Sequence, residues 1–91
     1  MLEARLKKRV KAMGGRVIKL PAMWYRGIPD RLVVLPGRLI CFVELKRGDA
    51  PRDRSPHQVE WRTYLLSSGH RAYNVRGDLE LDNLLFWLSV V

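Results

Sequence analysis

The stretch from Gly27 to Lys46 constrains the fold more than any other part of the chain. It reads GIPDRLVVLPGRLICFVELK, two runs rich in Val, Ile, Leu and Phe on either side of Pro36-Gly37. Such runs around a Pro-Gly pair predict an antiparallel hairpin, with strands from Arg31 to Leu35 and from Arg38 to Lys46. Folding there brings Pro29-Asp30 back toward Glu44-Leu45-Lys46. Register then decides what these groups can do together, because side chains alternate faces and a slip of one residue inverts them. A two-residue loop of Pro36 and Gly37 sets Leu35 opposite Arg38 and Asp30 opposite Val43, with Glu44 on the other face. A three-residue loop from Pro36 to Arg38, or a bulge near the strand ends, sets Asp30 opposite Glu44 on one face.

In that second register Asp30, Glu44 and Lys46 converge, since Glu44 and Lys46 are two apart and Leu45 points to the opposite layer. Two carboxylates side by side repel each other unless a cation or a proton neutralises them. Hard oxygen donors without Cys or His favour Mg2+ or Mn2+ over zinc. A cation held by Asp30 and Glu44 would polarise a phosphate, while the Lys46 ammonium would position the attacking water or stabilise developing charge. This is the chemistry of phosphodiester hydrolysis. A literal general base at Lys46 would need a strongly lowered pKa, which favours the positioning and electrostatic roles. The bland account is that strand-end carboxylates and lysines are solvated and that an ELK triplet arises by chance. Their joint placement at both ends of one hairpin is what weighs against it.

The charge supports a polyanionic partner: 17 Lys and Arg against 9 Asp and Glu give a net charge of +8 and a pI near 10.4. Basicity alone does not separate DNA from RNA or an anionic membrane. At 91 residues the expectation is one domain, burying only about 60 to 65% of its unfolded-chain surface. The single cysteine, Cys41, lies between Ile40 and Phe42 in a strand, so core packing and a reduced intracellular setting are expected. His57 and His70 lack cysteine companions and are expected at the surface rather than on zinc. No signal peptide is expected, and the apolar run from Leu84 to Val91 is short of the ~20 residues that span a bilayer, so a soluble protein is expected.

In chain order, Leu2, Leu6, Val10 and Met13 recur at helical spacing before Gly14-Gly15, which predicts an amphipathic helix over 2–13. Glu3 falls on the border of its apolar stripe, where it could look toward Asp30 or simply pair with Lys7 at i,i+4. Arg16 to Leu20 reads as a strand and 21–27 as an irregular loop. In that loop Trp24 and Tyr25 could stack on an unpaired base, with Arg26 on a phosphate, or they could cover a core edge or a dimer contact. Gly27 either relieves crowding near a phosphate or permits a turn. The polar stretch 47–54 supplies Arg47, Arg52 and Arg54 as candidate phosphate contacts. Ser55, Pro56 and Gln58 read as N-cap, N1 and N3 of a second helix ending at Gly69. Capping alone accounts for Gln58, although its amide could also reach inward to bound water or a phosphate. Arg71 to Val75 is a fourth strand, and Gly77-Asp78 caps a last helix from Leu79 to about Ser89. Apolar residues nearly encircle that helix, so a two-fold dimer contact is expected of it.

Pro29-Asp30 followed by Glu44-Leu45-Lys46 resembles the PD-(D/E)xK nuclease signature. Together with Glu3 in a first helix and Gln58 opening the next, the pattern is similar to the VRR-NUC family, the virus-type replication and repair nucleases. The resemblance implies an α/β restriction-endonuclease-like core of order αβββαβα, a mixed sheet flanked by helices. It implies a Mg2+- or Mn2+-dependent DNA endonuclease acting on branched or Holliday-junction DNA as a homodimer, in a host cell. It further implies Glu3, Asp30, Glu44, Lys46 and Gln58 as catalytic residues. The metal ligands implied are Asp30, Glu44, Glu3 and the backbone carbonyl of Leu45. The rival expectations are a non-catalytic basic nucleic-acid-binding protein and a nuclease for linear duplex.

Overall fold

The computed structural model describes residues 1–21, 23, 25–37, 39–49 and 55–91. The elements follow in the order α1 (Leu2–Ala12), β1 (Arg16–Lys19), β2 (Arg31–Leu35), β3 (Leu39–Lys46), α2 (Pro56–Ser67), β4 (Arg71–Arg76) and α3 (Gly77–Val90). One mixed sheet runs β1-β2-β3-β4, with β1, β2 and β3 antiparallel in sequence and β4 parallel to β3. A parallel pair needs a crossover connection, and α2 supplies it.

The pleat sorts the side chains. Val33 and Leu35 of β2, Cys41 and Val43 of β3 and Val75 of β4 face Leu6 and Val10 of α1 and Leu81, Leu84, Leu85 and Leu88 of α3. Leu6 and Val10 are four apart and wholly buried, as the helical spacing requires. The opposite face receives α2, which lies against β4 through buried Leu65 and Ala72. Ile18, Leu32 and Phe42 lie opposite one another on that second face, with Val34 and Ile40 in the next row. Ile18 and Ile40 remain about half exposed there.

Two expectations change. The last helix begins at Gly77, and its cap is not Asp78: the Arg76 backbone N–H donates to Glu80 Oε1 at 2.7 Å. Asp78 instead pairs with Arg5 of α1 at 2.5 Å, and Asp82 joins the same guanidinium. This helix is also better covered than its composition suggests. Four of its five leucines enter the chain's own core, leaving Leu79, Phe86 and Val90 exposed. Cys41 is fully buried, which pushes its thiol pKa up to about 11 and keeps it inert. His57 and His70 are exposed.

Candidate metal centre at the hairpin end

The β2–β3 register pairs Leu35 with Leu39 and Arg31 with Val43. The connection is therefore the three-residue loop, although Arg38 itself lies outside the described residues. One step further along this ladder Asp30 sits beside Glu44. The Asp30 backbone N–H donates to Glu44 Oε1 at 3.2 Å, and the Leu45 N–H donates to Asp30 Oδ1 at 3.2 Å. Lys46 Nζ stands 3.7 Å from Glu44 Oε2. The structure thus brings Asp30, Glu44, Leu45 and Lys46 together at the open end of the hairpin.

Electrostatics marks the pair. Burial raises the Asp30 pKa above its ordinary value, against the Leu45 hydrogen bond and the Arg31 charge, which lower it. Burial raises Glu44 as well, and the neighbouring Asp30 charge raises it further, against Lys46. Both ionised forms are therefore short of compensating charge, which is what a bound cation supplies. The donor set consists of oxygens only, and it fits Mg2+ or Mn2+, ions held by one or two carboxylates with the remaining positions left to water and substrate phosphate. Among the described residues no group of three His, Cys, Asp or Glu side chains gathers for a metal. The groups that would hold such a cation are the two carboxylates, with the Leu45 carbonyl as the backbone candidate.

Glu3 stands differently from the expectation of a third carboxylate in one cluster. Its Oε2 accepts from Arg31 Nη2 at 2.5 Å, while Arg31 Nη1 donates to the Asp30 carbonyl at 3.0 Å and lies 3.3 Å from Asp30 Oδ2. Arg31 is 8% exposed and forms a bridge between the two acids. Glu3 still borders the cleft that Leu45, Lys46, Arg47 and Gly48 line. Sequence reasoning missed Arg31. The signal was available in its parity: Arg31 shares the buried face of Val33 and Leu35, and a cation buried on an apolar face requires acid partners.

Gln58 enters from the other side of the sheet. Ser55 Oγ accepts from the Gln58 N–H at 3.3 Å, which is half of the capping box. Gln58 lines a crevice with Glu44, Arg62 and Asn74. Gly27 sets this helix in place, for reasons other than phosphate or a turn alone. Its φ is +87°, and a Cβ there would stand 2.4 Å from the His57 backbone carbon. Only glycine lets the loop lie directly on the first turn of α2.

The expected DNA contacts divide. Tyr25 is exposed and packs edge-on to Trp61 of α2, with ring centroids 5.8 Å apart. Arg26 is exposed, and exposed Arg47 lies 3.4 Å from Asp49. Trp24, Arg52 and Arg54 lie outside the described residues.

No model of a protein family matches the sequence. The chain is 38% identical over 71 residues to "Putative nuclease p44" of Acyrthosiphon pisum secondary endosymbiont phage 1, covering 77% of this chain and 73% of that protein. A solved structure described as a VRR_NUC domain superposes with a TM-score of 0.81 at 33% identity, over 92% of this chain and 89% of that one. Hjc of Archaeoglobus fulgidus, a Holliday junction resolvase, superposes with a TM-score of 0.58 at 23% identity, over 81% of this chain and 63% of that one, a likeness of fold. With the αβββαβα order, the mixed sheet and these relatives together, the chain belongs to the VRR-NUC family and has its restriction-endonuclease-like fold.

Proposed function

We propose that this protein is a Mg2+- or Mn2+-dependent endonuclease that hydrolyses DNA phosphodiester bonds. The observation that carries the reading is the placement of Asp30 beside Glu44, with the Lys46 ammonium 3.7 Å from the second carboxylate. Asp30, Glu44 and the Leu45 carbonyl would hold the cation, which when bound supplies Lewis-acid activation of a phosphate oxygen. Lys46 orients the attacking water and offsets charge that develops on the phosphate. Glu3 acts from the cleft wall, tied through Arg31 to Asp30, and Gln58 approaches from the α2 side to orient water or phosphate. The substrate is branched DNA of the four-way-junction kind, a reading motivated by the fold shared with the Archaeoglobus resolvase. Two copies of the chain form the active unit. Tyr25, Arg26 and Arg47 are the described candidates for contact with the substrate.

The test is nicking of a labelled four-way junction in Mg2+ or Mn2+. Asp30→Asn and Glu44→Gln are each expected to lower the rate by more than about 100-fold, beyond the 10- to 100-fold typical of outer-shell changes, while junction binding persists. A double variant that cuts like the parent rejects the assignment. Parallel assays on flap and linear substrates of one sequence establish the DNA structure preferred.

A further inference from the structure

We propose that the groove between α1 and β1, lined by Lys7, Lys11 and Arg16, binds the phosphate backbone of one DNA strand and leads it to the hairpin end. This substrate path rests on the nuclease reading above.

Three observations carry it. First, Glu3, Lys7 and Lys11 follow at i, i+4 and i+8 on α1. Glu3 borders the cleft at Leu45 and Lys46, whereas Lys7 and Lys11 line the groove that continues to Gly14, Gly15 and Arg16. Each four-residue step advances about 6 Å, on the scale of a strand that carries one charge every ~3.4 Å of its axis. Second, the groove cations are available to a phosphate. Arg5, facing α3, is neutralised by Asp78 and Asp82. Among the described residues no acid pairs with Lys7, Lys11 or Arg16, and all three are exposed. Third, Gly14 and Gly15 turn the chain tightly from α1 into β1: Gly14 has a φ of +83°, and a Cβ on Gly15 would stand 2.4 Å from the Val34 carbonyl oxygen, so glycines here bring Lys11 and Arg16 to one groove. A merely solvated helix face accounts for exposed lysines. It does not account for their lining a concave site that runs on toward the proposed chemistry.

The test is the salt dependence of binding. Affinity for a fluorescent DNA junction is measured by anisotropy in EDTA between about 50 and 200 mM salt. At about 0.9 per phosphate contact, the combined variant Lys7→Gln, Lys11→Gln, Arg16→Gln is expected to reduce the slope of log K against log salt by about 2.7. The same variant raises KM in Mn2+ and leaves kcat at saturating DNA within about twofold, because loss of uniform binding acts on KM. A control variant, Lys8→Gln with Arg9→Gln, removes exposed charge outside the groove and is expected to leave the slope unchanged. An unchanged slope in the groove variant, or an equal loss per charge in the control, overturns the track. If the parent nicks nothing in Mn2+ while the slope difference persists, the groove remains a nucleic-acid site and the nuclease reading fails instead.

Discussion

Asp30 and Glu44 are acids whose ionisation the folded chain opposes, chiefly through burial. Their folded pKa values lie above the unfolded ones, so their contribution to stability is complete below about pH 4, the unfolded range, and is lost as pH rises through the folded values. Without metal, Glu44→Gln is therefore expected to melt higher than the parent at pH 7, with the gap closing toward pH 4. Mg2+ at pH 7 should raise the melting temperature of the parent and leave the variant nearly unmoved. A gap that widens on acidification contradicts the assignment. Arg31 belongs to the same scale. Its fork reaches Glu3 and Asp30 at once, which the point charge of a lysine cannot do. Arg31→Lys is expected to weaken Mn2+ binding about 10- to 100-fold, the range for groups that orient ligands, as read by calorimetry. Affinity equal to the parent's would leave Arg31 a purely structural ion pair.

At the scale of elements, the hairpin was legible because its apolar runs and Pro-Gly turn are local signals, and because the register has only two alternatives. What the sequence left open was which alternative holds. That depends on a ladder closed by Leu35 and Leu39, a contact between strands rather than within one. Gln58 was legible as a capping residue, yet its approach to Glu44 depends on how α2 lies on the sheet, which no spacing encodes. Gly27 makes the same point. Its role is set by His57, thirty residues away in sequence. Gly27→Ala combines a strained positive φ with a backbone overlap and is expected to cost roughly 2 kcal/mol or more, read as a lower urea midpoint at constant slope. Nicking should fall with it even where the protein remains folded, since the first turn of α2 carries Gln58.

For the whole molecule, the composition indicated a polyanionic partner but not its route, because net charge carries no direction. In the proposed path the direction comes from the groove, whose cations have no acid partner among the described residues, while Asp78 and Asp82 neutralise Arg5 on the α3 side. Assembly is also a property of this scale. Leu79, Phe86 and Val90 on α3, and Ile18 and Ile40 on the sheet, are among the exposed apolar residues that a second copy could cover. Light scattering at micromolar concentration is expected to give twice the 10.6 kDa chain mass. Whichever of Phe86→Glu and Ile40→Lys halves that mass identifies the face used. A parent that scatters as a monomer rejects the dimer.

The strand that carries Glu44 and Lys46 is the third of four and is hydrogen-bonded along both sides, to β2 and to β4. From Cys41 to Val43 it has no free margin at which to peel away, and β4 holds it on through Lys46. Asp30, one residue beyond the β2 ladder, is tied to it by the Glu44 and Leu45 hydrogen bonds, so the two acids stay together while the middle of the sheet holds. Loss of catalysis on heating should then coincide with cooperative melting, with no folded but inactive form populated beforehand.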